Sequence, residues 1–395
     1  MEDSRQKELL KKINLLIYAT GLPYFWFEEC KWPLPVIMFL KYATIVLKTL
    51  SYGFFLISGL LPLLTQTNLN DQQIYNILTY NISFPFLYLV TVTLRYHKND
   101  VKKLIYELVV SAPSVYKDPK IEAEMVQKSK TWSISVSCIG WIGMSMLILD
   151  DVIRSLTTDD VFSPIITVWP NIQDKSQIAN AFRILISVVW CLLVVQFNGS
   201  LVLVICLTIY TSHQFKQLQS LFCNLTKIFE EDLSQSKKEE KYEKALKVGF
   251  KLHKDIISYT RRLVKTYHIG YGGEIFTNVI ILVIIMIRLT NQEKDLAFIL
   301  TNGLVSMTML TITWIYMSTL GDITVEADKL TNAMYMSGWE NCTRSSSVRV
   351  RNLLSVGMAQ TQKPLTIYAL GIIVVSFSSY LSIVKCSYTI FSMMV

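Results

Sequence analysis

Apolar residues gather into seven long runs separated by charged connections: Val36–Leu64, Ile74–Leu94, Trp132–Leu149, Ile178–Tyr210, Tyr267–Ile287, Leu296–Leu320 and Leu365–Val395. Each run holds about 18 or more residues with few charges, and about 20 helical residues cross a hydrocarbon core at roughly 1.5 Å rise each. The pattern predicts an all-α polytopic membrane protein with seven transmembrane helices.

The apolar periodicity does not stop at the ends of the runs. After the fourth, Leu218, Leu221, Phe222, Leu225, Ile228 and Phe229 mark one helical face. Before the fifth, Ala245, Val248, Leu252, Ile256, Tyr259 and Leu263 recur at steps of three and four. Ile323, Ala327, Leu330 and Met334 follow the sixth run, and Val350, Leu353 and Leu354 precede the seventh. These faces need partners, so the spans are expected to continue into a helical anchor bundle. Packing within one chain or between chains would both bury them.

No cleavable signal peptide is expected. Before Val36, Leu9, Ile13, Leu16 and Ile17 recur at helical spacing among lysines, followed by Tyr24-Phe25-Trp26-Phe27. That suits either a helix on the membrane surface with its aromatics at headgroup level, or one folded back into the protein.

Basic residues set the orientation. Thirty of the 38 Lys and Arg lie before the first run or between runs two and three, four and five, and six and seven. The opposite side carries four: Arg154, Lys175, Arg288 and Lys294. The positive-inside rule then puts the N-terminus in the cytoplasm and the C-terminus outside. The layout is an interfacial segment 1–35, spans one to four over 36–210, anchor helices over 211–266, spans five and six over 267–320, further anchor helices over 321–363, and a last span over 364–395.

Charged residues make up only 17% of the chain, against about 25% in soluble domains. None of the seven cysteines falls in an outer loop, so no structural disulfide is expected. The four sequons, at Asn81, Asn198, Asn224 and Asn341, fall in spans or on the cytoplasmic side and read as chance matches. His97, His213, His253 and His268 have no metal-ligand spacing, and no nucleophile or phosphate-loop motif occurs. Enzyme chemistry, metal, cofactor and nucleic-acid partners are therefore not implied. The acids of the loop 150–177 could gather cations at a pore mouth or simply be solvated. Of the span charges Lys41, Lys48, Arg183, Glu274 and Lys385, only Lys385 stands well inside a run of apolar and hydroxyl residues.

The end of the chain carries a family pattern. GDITVEADKLTNAMYMSGWE, with Ala333, Tyr335 and Trp339, then Gln362 to Leu365, then Lys385, Ser387, Tyr388, Phe391 and Ser392, closely resembles the C-terminal region of insect odorant receptors. The resemblance implies an odour-gated, non-selective cation channel in the plasma membrane of a sensory dendrite. It further implies a tuning subunit assembled with the shared co-receptor into a tetramer, with span seven lining one central pore. A gustatory-type channel would carry a terminal Thr-Tyr-x-x-x-x-Gln-Phe, which is missing. A G-protein-coupled receptor would have its N-terminus outside, and a transporter would show broken midspan helices.

The same resemblance places the ligand among the outer halves of spans two, three, four and six. Candidate lining residues there are Tyr75, Thr79, Tyr80, Ser83, Trp141, Met144, Ser145, Ile148, Phe182, Ile186, Trp190, Phe298, Asn302, Ser306 and Met309. Aromatic, Met and hydroxyl residues without a charge suit a small neutral volatile such as an ester or alcohol. In span seven, Val374, Phe377, Leu381, Val384, Tyr388, Phe391 and Val395 form a stripe expected along one helix of about 46 Å. An apolar ring can close a pore by dewetting. The resemblance puts that constriction, with Tyr388 below it, near Phe391, Met394 and Val395. The stripe could equally face neighbouring helices. An epitope tag after Val395 should stain intact cells, and one before Met1 only permeabilised cells; the reverse pattern would invert the architecture.

Overall fold

The computed structural model describes residues 5–30, 32–33, 35–39, 42, 52–55, 57–59, 61–67, 69–157, 161–291, 296–344 and 346–394. Most of the first predicted span lies outside these residues. So do the terminal gate residue Val395 and the side chain of Met394.

The long helices are α1 (Arg5–Ala19), α2 (Asp71–Tyr96), α3 (Lys98–Tyr106), α4 (Pro119–Thr157), α5 (Gln177–Asn224), α6 (Gln235–Asn291) and α7 (Leu296–Asp328). A short α8 (Leu330–Tyr335) and α9 (Ser346–Thr361) follow, then a two-stranded hairpin and the terminal α10 (Phe377–Met394). Five of them, α2, α4, α5, α6 and α7, are long and apolar enough to cross a membrane among the described residues. Local chemistry starts these helices. At α2, Asn70 and Gln73 cap each other's backbone N–H groups at 2.8 and 3.0 Å. At α5, the Ser176 hydroxyl accepts from Ala179 N.

α5 has 48 residues and α6 has 57, so they run about 72 and 86 Å against a hydrocarbon core of about 30 Å. Each span therefore continues unbroken into the anchor, where its apolar face is buried. Phe215, Leu218 and Phe222 of α5 meet Leu246, Leu252, Ile256 and Leu263 of α6 and Leu330, Met334, Val350 and Leu354 in one core.

α1 takes the folded-back alternative. Leu10, Ile13 and Ile17 are buried in that core, and Tyr210 donates to Gln6 O at 2.9 Å. Phe25 and Trp26 are fully buried instead of lying at headgroup level. Lys7 and Lys11 pair with Glu28, neutralising charge that a membrane-surface helix would present to headgroups.

The terminal span is shorter than the sequence pattern predicts. Its helix starts at Phe377, leaving about 27 Å instead of about 46 Å. Before it, Tyr368–Ala369 pairs antiparallel with Ile373–Val374, so Val374 is in a strand and not on the helical stripe. The turn holds Leu370 at φ 50° and Gly371 at φ 73°, left-handed values that suit Gly and are costly for Leu. The Leu370 side chain supplies the reason. It sits in a notch of α6 at Gly272, where a Cβ would come within 2.1 Å of Leu370 Cγ. α10 itself packs on α6 and α7.

Glu239 ties the anchor together. Its buried carboxylate accepts from Gln235 Nε2 at 3.0 Å, Thr343 N at 2.9 Å, Arg344 N at 3.1 Å and the Ser346 hydroxyl. Burial alone would raise its pKa, but these donors outweigh burial and hold it at about 2. A depressed pKa adds stability above the ordinary value of 4.5, lost as pH falls from there toward about 2. Glu239→Gln should lower neutral-pH stability of the solubilised protein by about 1–3 kcal/mol. It should also flatten the acid-side decline of thermal stability between about pH 5 and pH 3. A melting curve unchanged at both pH values would remove this tie.

Candidate functional site

Where α2, α4, α5, α6 and α7 converge, they line a cavity of about 180 Å³. Its walls are mostly apolar: Phe86, Leu87, Met144, Val194, Phe197, Ile281, Val305, Met309 and Ile312. Small residues make the room. Gly140 and Gly143 of α4 face the cavity; a Cβ on Gly143 would come within 2.9 Å of Thr308 Cγ2. The glycines let α4 approach α5 and α7 closely, as helices without a hydrophobic drive in lipid require.

Polar groups sit at defined points. Asn278 donates to Thr313 Oγ1 at 2.7 Å and to Glu274 Oε1 at 3.2 Å. Asn302 donates to Phe298 O at 2.8 Å, and Ser306 to Asn302 O at 2.8 Å. Thr79 and Ser83 return their hydroxyls to Tyr75 O and Thr79 O. Tyr80 meets Trp190 edge-to-face at 5.4 Å between ring centres. The Trp190 indole lines the cavity and is buried.

Of the sequence-predicted residues, Thr79, Tyr80, Ser83, Met144, Trp190, Asn302 and Met309 line this cavity together. Ile148, Phe182 and Ile186 instead pack in an adjoining cluster with Phe55, Phe84 and Ile165. Phe298 is buried beneath Arg288, whose guanidinium lies 5.6 Å from its ring centre. Trp141 is half exposed on the outward side of α4, in a separate groove. Tyr75, Ser145 and Ser306 are not among the lining residues; Tyr75 and Ser306 serve the helix hydrogen bonds just given.

The fifth span, which contributes none of the sequence-predicted lining residues, forms one wall. α6 contributes Glu274, Thr277, Asn278, Ile281, Ile285 and Arg288 to the wall. A signal was present: Glu274, Thr277 and Asn278 are polar at i, i+3 and i+4, so they share one face of an apolar helix. The cavity therefore contains one acid and one base, where the sequence suggested neither. Fourteen residues, about 21 Å of helix, separate Glu274 from Arg288, so the two do not pair directly.

The outer loop before α5 is held by two polar side chains. Gln66 donates to Thr167 O, Val168 O and Pro170 O at 2.9, 3.1 and 3.3 Å and accepts from Ile172 N at 3.0 Å. Arg183 donates to Asn171 O, Asp174 O and Asn180 Oδ1 at 2.6–2.8 Å. Ile165 of this loop packs in the cluster that contains Trp190.

On α10, Tyr380, Ile383, Ser387 and Phe391 turn toward the protein, with Ser387 buried. Phe377, Leu381 and Tyr388 are exposed, and Phe391 is half buried. Tyr388 and Phe391 are neighbours, 6.3 Å between ring centres. Lys385 is exposed on the hydroxyl-bearing side with Ser378, Ser382 and Thr389.

Residues 67–388 match the family described as 7tm Odorant receptor. No curated relative matches the chain in sequence. Among solved structures, the insect olfactory receptor OR5 from Machilis hrabei in complex with eugenol is similar, with a TM-score of 0.80 at 16% identity. That match covers 98% of this chain and 97% of the other. The same receptor without that ligand in its description gives 0.79 at 16% identity, covering 98% of each.

A polytopic helical receptor fold thus surrounds a buried, mostly apolar cavity. The chain belongs to the insect odorant receptor family, whose members are ligand-gated cation channels, and it is not an enzyme.

Proposed function

We propose that this chain is the odorant-tuning subunit of a heteromeric channel formed with the odorant co-receptor. It would act in the plasma membrane of a sensory dendrite and bind a small neutral volatile, of ester or alcohol type, in the α2/α4–α7 cavity. The observation that carries this reading is the cavity itself: about 180 Å³, between five helices and mostly apolar. An apolar cavity of roughly 150 Å³ takes up benzene, so the space suits a molecule of about one ring. Eugenol, named with the similar OR5 structure, is a single-ring molecule of that kind. Affinity would come from burial at roughly 25 cal/mol per Å² of apolar surface. The Trp190 N–H supplies a donor for an ester or hydroxyl oxygen.

The neutral-ligand reading accommodates Glu274 and Arg288. Glu274 already accepts from Asn278, and Arg288 lies over Phe298. Both charges are engaged by the protein, and the middle of the wall remains apolar.

Ligand binding would reach the pore through α6. Its cavity wall begins at Glu274, two residues from the Gly272 notch that holds Leu370. The hairpin then leads directly into α10, whose exposed Phe377, Leu381 and Tyr388 are free to face a pore. A ligand that shifts α6 would move the hairpin and splay the terminal helices, rehydrating the constriction.

Whole-cell current should arise during a panel of volatile esters and alcohols only when this chain and the co-receptor are expressed together. Trp190→Ala and Asn302→Ala should each shift the half-maximal concentration at least about tenfold, equivalent to about 1.4 kcal/mol, with surface expression preserved. Unchanged dose responses in both would remove the cavity as the binding site. G-protein signalling from this chain alone would remove the channel reading.

A further inference from the structure

A second concavity, of about 480 Å³, opens on the outer surface of the helix bundle between α1, α4 and α5. Ile13, Leu16, Ile17, Ile134, Trp141, Val195 and Val202 make it apolar, and Cys138 is exposed in it. Its α4 and α5 residues, Ser133 to Trp141 and Val195 to Val202, fall inside apolar runs, and Lys12 and Lys130 stand at its cytoplasmic end. One residue, Asn198, lines both this groove and the five-helix cavity.

Asn198 is held like a hinged panel. Its amide donates to Ser137 O at 3.5 Å, the outer limit of a hydrogen bond, and its buried Oδ1 has no partner. It lies over Gly140, where a Cβ would come within 2.4 Å of Asn198 Nδ2. A glycine opposite, a weak donor bond and an unsatisfied oxygen leave this side chain little to lose by rotating. The outer loop, in contrast, is tied down by the four Gln66 bonds and by Arg183. Rotating Asn198 breaks one long hydrogen bond, fewer than displacing that loop would.

We infer that the α1/α4/α5 groove is the access site for neutral lipophilic ligands, which reach the cavity from the membrane by displacing the Asn198 side chain. The inference rests on the cavity being the ligand site. Volatile esters and alcohols partition into bilayers, so the groove meets the ligand where it is concentrated.

The test uses a cysteine inside the cavity, Val305→Cys, in the full chain reconstituted in phosphatidylcholine nanodiscs. Benzyl methanethiosulfonate is the membrane-soluble probe and the trimethylammonium-ethyl reagent its charged, water-borne counterpart; labelling is read peptide by peptide by mass spectrometry. The benzyl reagent should label residue 305 at least tenfold faster than the charged one. Filling the groove with Val195→Trp should slow benzyl labelling at least tenfold, and Asn198→Ala should speed it several-fold. Should Val195→Trp not fold, Asn198→Ala decides alone. Faster labelling by the charged reagent, or benzyl rates unchanged in the variants, would overturn the membrane route and leave the groove a lipid-chain site only. No labelling of residue 305 by either reagent would instead refute the cavity as a ligand site.

Discussion

Two helices much longer than the bilayer is thick constrain everything else in this structure. α5 and α6 overrun a hydrocarbon core of about 30 Å by more than twofold. A helix leaving the membrane must bury its apolar face again or lose it to water. The projecting turns therefore pack with α8, α9 and the folded-back α1 into a dense core of Leu, Ile, Phe and Tyr. Because the helices run unbroken from this anchor to the cavity, motion at one end is transmitted along rigid rods. The anchor end carries the large continuous core, and the other end holds the cavity.

The difference between the two ends is chemical. In the anchor, Glu239 is buried among its donors and Tyr242 meets Ser337 at 2.6 Å, so chain segments far apart in sequence are tied together. At the cavity, Gly140 and Gly143 of α4 let Asn198 and Thr308 approach its backbone closely. A tied core at one end and a cavity at the other is the arrangement that binding coupled to a remote gate requires.

Much of this was legible in the residues because the signals are long and one-dimensional. A run such as Ile178–Tyr210 states its own class, and the faces at Leu218–Phe229 and Ala245–Leu263 announced the anchor. Lining residues were harder to read. Helix rotation decides whether Trp141 or Gly140, one position apart, faces the cavity, and periodicity alone does not fix that rotation when a helix is apolar all round. Glu274 of the fifth span lies toward a span end by sequence, where an acid needs no partner. Its partnership with Asn278 and Thr313 exists only once α6 meets α7. Hydropathy predicts a longer terminal helix because Tyr368, Ile372, Ile373 and Val374 are as apolar in a hairpin as in a helix. The left-handed turn at Leu370 and Gly371 has no hydropathy signature.

Transmission from cavity to terminal helix is the central claim, and Leu370 is where it can be cut. Shortening that side chain empties the Gly272 notch without touching the cavity. In Leu370→Ala, ligand protection of a cavity cysteine from alkylation should keep its wild-type half-saturating concentration, while ligand-evoked current falls at least tenfold. Wild-type current at wild-type binding would show that the notch transmits nothing; loss of both together would place Leu370 in the binding site instead of the linkage.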